Sequence, residues 1–160
     1  MNYYILFITS LFIFNCSSTE NVSLDRGFSE IGVISFSEEN NQIKFDIYLL
    51  SHTDIRGVEL KIDSDNYLQI NDVQSEKLKG YDFNIHNNKQ GKIIAFSLKG
   101  KEIPKSTTLI KEKNILFSIQ AERLKEGTFK IQLNPVLAVS NDGKTEKIQT
   151  KEIEFEWLDQ

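Results

Sequence analysis

Residues 42–50 read QIKFDIYLL, in which Ile43, Phe45, Ile47 and Leu49 alternate with Lys44, Asp46 and Tyr48. A period of two puts the first set on one face of an extended chain and the second on the other, so the stretch predicts a half-buried β-strand. The same device recurs along the chain. In GVELKID (57–63), Val58, Leu60 and Ile62 face inward while Glu59, Lys61 and Asp63 face outward, and in YDFNIH (81–86) Tyr81, Phe83 and Ile85 oppose Asp82, Asn84 and His86. NILFSIQA (114–121), TFKIQL (128–133) and KEIEFEW (151–157) repeat it, the last with Ile153, Phe155 and Trp157 inward. Each such segment leaves one apolar face that only another sheet or strand can cover.

Turn chemistry separates these segments: Asn40-Asn41, Asn87 to Gly91, Glu126-Gly127 and Asn141-Asp142-Gly143. Asn, Asp and Gly supply the positive backbone φ that tight hairpins need. Roughly nine strands are expected over residues 31 to 158, with SEKLKGY (75–81) a short helical turn at most. The chain is therefore expected to be all-β, a single antiparallel β-sandwich domain over residues 31–160 with no internal repeat.

Ahead of that domain the composition differs. Tyr3 to Phe14, YYILFITSLFIF, is an apolar run too short to cross a bilayer comfortably and suited to the hydrophobic region of an export signal. Cys16, the sole cysteine, follows at once, and then the polar SSTENVSLDRGFSE (17–30). The junction Ile13-Phe14-Asn15-Cys16 resembles the bacterial lipoprotein signal, in which the cysteine is lipidated and becomes the new N-terminus. Residues 1–15 are thus expected to be a signal peptide, Cys16 the lipidation site, and 16–30 a flexible tether. The alternatives are a plain cleaved signal or an uncleaved anchor. A single cysteine cannot form a disulfide within the chain. The location implied is the cell envelope: outer membrane, cell surface or periplasmic face.

The 160 residues carry a formal charge of −4, which offers no basic excess for nucleic acid. A nucleophilic enzyme would need Ser, Cys or Thr beside a base. The only histidines are His52 and His86, and no Gly-x-Ser-x-Gly turn occurs. The acidic stretch DSDNYLQIND (63–72) fails as an EF-hand, because Tyr67 and Leu68 stand where a ligand and the turn glycine belong. A looser calcium site at Asp63, Asp65 or Asp142 is the one cofactor alternative; otherwise no metal or cofactor is expected. Sugar-binding sandwiches present flat aromatic rows, for which Tyr48, Tyr67 and Trp157 are the candidates.

The order of segments from about Ile55 to Ile148 resembles a cohesin domain, the jelly-roll sandwich of cellulosome scaffold proteins. Four stretches carry the likeness: IRGVELKIDSDNYLQINDV (55–73), FNIHNNKQGKIIAFSL (83–98), NILFSIQA and NPVLAVSNDGKTEKI (134–148). Ser64-Asp65 replaces the proline that usually follows the aspartate near position 63. The resemblance implies a jelly-roll fold and a non-enzymatic, monomeric binding module that engages a dockerin-like protein through a sheet face. On that reading Glu59, Lys61, Asp82, Asn84 and His86 are the partner-binding candidates. Because carbohydrate-binding modules share the sandwich, a polysaccharide or surface-glycan ligand is the alternative, and a structural subunit of an envelope complex is the third.

Overall fold

The computed structural model describes residues 29–39, 41–139, 148–151 and 153–155. Cys16, the expected signal and tether up to residue 28, Asp142 and Trp157 lie outside the described residues. Ten strands appear in chain order: β1 (Ser29–Glu39), β2 (Gln42–Leu50), β3 (Ile55–Asp63), β4 (Leu68–Gln74), β5 (Phe83–Asn87), β6 (Lys92–Ser97), β7 (Ile115–Arg123), β8 (Phe129–Val139), β9 (Ile148–Lys151) and β10 (Ile153–Phe155). Short helices α1 (Glu76–Gly80) and α2 (Lys111–Asn114) interrupt them. Ser29 and Glu30, expected in the tether, instead open β1 and are buried.

The strands make two five-stranded sheets, ordered β4-β7-β2-β1-β9 and β10-β8-β3-β6-β5. Every pairing is antiparallel except β1 with β9. The last strands pass from one sheet to the other between Lys151 and Ile153. One continuous core lies between the sheets: Ile31, Ile43, Phe45, Ile47, Phe117 and Ile119 from the first meet Val58, Leu60, Ile93, Ile131 and Leu137 from the second. Burying such side chains contributes about 1.5 to 3 kcal/mol each. The inward residues of β2, β3 and β8 are those their alternation predicts.

Local chemistry sets the corners. Asp65 and Asn66 both have positive φ, and the Tyr67 N–H donates to the Ser64 carbonyl at 2.8 Å, which makes a type I′ turn between β3 and β4. At the β5–β6 turn Gly91 has φ +82°, and a Cβ there would lie 2.5 Å from the Ile62 carbonyl oxygen, so only glycine fits. In α1, Ser75 caps the helix by accepting the Leu78 N–H at 3.0 Å, and Leu78 is fully buried.

Two departures from strict alternation matter. The β1–β2 register shifts between Val33 and Ser35, so after this bulge Phe36 and Glu38 fall opposite Phe45 and Ile43, on the core side. Glu38 thereby meets Arg123 inside one end of the sandwich, Nε to Oε1 at 3.4 Å, with both side chains almost buried. The second departure is Tyr48, expected outward and available to a sugar. It is 4% exposed, because the segment 98–114, after running beside β3 at Ile103, reaches the outer surface of the first sheet and covers it with Leu109. Its hydroxyl donates to Glu30 at 2.5 Å, and its ring lies against Gly32, where a Cβ would come within 2.8 Å.

Candidate functional site

The outer surface of the second sheet follows from the registers of β5, β6, β3 and β8. One row runs Asn84, Phe96, Gly57, Ala138, and the next His86, Ile94, Glu59, Val136. A third begins with Lys92, Lys61 and Asn134. Four of the five predicted partner-binding residues, Glu59, Lys61, Asn84 and His86, therefore share one exposed face. Asp82 does not. It precedes β5 with φ +57° and pairs with Lys99 at 3.1 Å, because the chain is still turning there and the strand starts at Phe83.

At the centre of this face lies an apolar patch that the strand-by-strand reading missed. Phe96 is 37% exposed with half-buried Ile94 next to it on β6, and Val136, 51% exposed, stands on β8 with Glu59 of β3 between it and Ile94. The His86 ring stacks on Phe96 with centroids 6.0 Å apart. A signal was present: in KIIAFS, Ile93 and Ala95 point inward, so the alternation itself sends Ile94 and Phe96 out. Apolar side chains flanking Glu59 and bordered by Lys61, Lys92, Asn84 and Asn134 have the mixed anatomy of a protein interface, with apolar surface inside a polar rim.

The rim charges are loosely held. Glu59 pairs with Lys92 at 2.9 Å and Lys61 with Asp63 at 3.3 Å, all exposed enough that solvent screens them. Such pairs exchange for a partner's charges at little cost. The backbone N–H of Asp65, followed by the Lys61 ammonium, holds the Asp63 carboxyl below its ordinary range. Asp63 thus serves its own turn. Among the described residues no three His, Cys, Asp or Glu side chains gather as a metal site.

Among the described residues, the two aromatic candidates do not form a sugar platform. Tyr48 is buried, and Tyr67 is half-buried, stacked on Phe129 at 5.5 Å with the Lys125 ammonium over its ring. His52 lies in the β2–β3 turn, away from the His86 face.

No protein-family model matches the sequence, and no curated protein matches it significantly. Solved structures do. The third ScaB cohesin of R. flavefaciens, in complex with a group 1 dockerin, aligns with TM-score 0.61 and 13% identity over 83% of this chain and 96% of its own. A non-cellulosomal cohesin from Archaeoglobus fulgidus gives 0.57 and 14% over 82% and 92%. The solution structure of CaCohA2 from Clostridium acetobutylicum gives 0.54 and 14% over 81% and 90%. The chain has the cohesin-like jelly-roll sandwich fold, covering these modules almost end to end.

Proposed function

We propose that this cohesin-fold domain is a non-enzymatic docking module, tethered at the cell envelope by a lipid on Cys16, that engages a dockerin-like protein through the outer face of β8, β3, β6 and β5. The observation that carries the reading is the exposed face on which Phe96, Ile94 and Val136 flank Glu59, with Lys61, Lys92, Asn84 and His86 around them. Support also comes from the R. flavefaciens structure, whose cohesin holds a dockerin. The lipid anchor rests on the residue pattern that ends at Cys16.

A flat sheet face suits a protein better than a small molecule, since it offers rows of side chains but no concavity to enclose a ligand. Apolar residues at the centre exclude water and supply affinity, while the rim charges select the partner and steer its approach. The test is a pull-down from detergent-solubilised envelope with the full chain as bait, in calcium and in chelator, beside Phe96→Asp. Capture of a protein bearing duplicated calcium loops, dependent on calcium and lost in Phe96→Asp, is the expected result. Equal capture by both baits would remove this face from the interaction.

A further inference from the structure

A cleft of about 750 Å³ lies where α1, the start of β7 and the 98–114 crossing segment meet, apart from the face described above. Lys77, Lys105 and Lys113 line it, against Glu76 as the one carboxylate among the described residues. Glu76 is 86% exposed and already paired with Lys79 at 2.9 Å. The cleft is thus positive in a chain whose formal charge is −4.

Among the described residues, the three lysines are not held by carboxylates of this chain, unlike four lysines elsewhere on the surface. Lys61, Lys79, Lys92 and Lys99 each hold a carboxylate within 3.3 Å. Among the described residues none of the three cleft lysines has such a partner. Lys77 is half-buried and donates only to the Lys113 carbonyl, at 3.0 Å, and burial pushes its ammonium pKa down. A partly desolvated ammonium with no anion beside it is unfavourable in isolation, and an entering oxyanion would relieve that. Beside the lysines stand the half-buried Tyr81 ring and Pro104, two rigid walls against which a flat, partly apolar ring can lie.

We infer that this cleft binds an anionic saccharide, its carboxylate or phosphate groups held by Lys77, Lys105 and Lys113 and one sugar ring resting against Tyr81 and Pro104. The volume falls within the range of small-ligand sites. The ligand chemistry has two sources, uronate sugars and sugar phosphates, which share the oxyanion and the ring.

The full chain, kept in mild detergent, is titrated with trigalacturonate, glucose 6-phosphate, inorganic phosphate and neutral maltotriose, and amide chemical shifts are followed by NMR. One or both anionic sugars are expected to bind and to shift amides at 76–81 and 104–115, more weakly as salt is raised, with inorganic phosphate clearly weaker and maltotriose silent. Lys77→Met should weaken the binding about tenfold, the value of one charged hydrogen bond. Lys105→Gln and Lys113→Gln change exposed side chains and provide the same reading if Lys77→Met fails to fold. Whichever anionic sugar binds identifies the source. Inorganic phosphate binding as tightly as the sugars would overturn the saccharide assignment. Binding of neither anionic sugar, or binding that survives all three substitutions, would overturn the site.

Discussion

Glu38 and Arg123 owe their meeting to a single extra residue in β1, since without the bulge at Ile34 the carboxylate would face solvent. Burial raises the Glu38 pKa, and the Arg123 charge offsets part of the rise. A carboxyl whose folded pKa lies above its unfolded value favours folding in its protonated form, and that contribution fades as pH rises through the folded pKa. Arg123→Met removes the offset and leaves a buried charge, so it should cost about 3 kcal/mol at pH 7. The loss should shrink at acid pH, as the pH falls through the raised pKa and Glu38 takes up a proton. Urea unfolding at neutral and at acid pH checks it, and a loss independent of pH would rule out the mechanism. Tyr48 is the alkaline counterpart. Burial first, then the hydrogen bond to Glu30 and its charge, push the phenol pKa above its ordinary value. Its contribution is intact below the unfolded tyrosine pKa of about 10 and is lost as pH climbs toward the folded value. Tyr48→Phe should cost about 1 to 2 kcal/mol at neutral pH, by taking a donor from buried Glu30, and should flatten the decline in melting temperature above pH 10.

The crossing segment 98–114 is the element that alternation did not foresee. Its sequence, LKGKEIPKSTTLIKEKN, has neither a strand period nor a helix period, and it reads as a loop. In the fold it is anchored by paired backbone bonds, Ser51 with Ser106 and Ile55 with Ile103, and by buried Ile103. Asn114, fully buried, fastens its end: Oδ1 accepts the Ile110 N–H at 2.6 Å, and Nδ2 donates to the Leu49 carbonyl at 3.3 Å and to Ser106 Oγ at 2.9 Å. Asn114→Ala should therefore destabilise by about 2 to 3 kcal/mol, as buried groups lose their partners. Hydrogen exchange should quicken at Ser106 and Ile110 more than at Phe45 or Leu60. Uniform acceleration would mean that the asparagine supports the whole sandwich instead of this segment. The helical turn at 75–81 was legible, because Ser75 is a good N-cap, whereas α2 carries no side-chain cap and left no such mark.

The core and the proposed docking face use opposite sides of the same strands. Leu60 and Ile93 pack in the core while their neighbours Glu59 and Ile94 line the docking face. Phe96→Asp should consequently cost only about 1 to 2 kcal/mol, from the lost stacking on His86 and the poor strand propensity of Asp, while abolishing partner capture. Thermal melts run beside the pull-down distinguish this from unfolding: a variant that is unfolded at the pull-down temperature and loses the partner would not implicate the face.

Period-two alternation was sufficient for the fold class, most inward residues and the hairpin turns, because strand faces and turn angles depend on neighbours along the chain. That Glu59, Lys61, Asn84 and His86 all face outward was legible for the same reason. The burial of Tyr48, the inward turn of Glu38, the displacement of Asp82 and the assembly of Phe96 with Val136 were not. Each depends on a bulge, on a covering segment or on the register between strands distant in sequence, and such contacts form only once the chain has closed on itself.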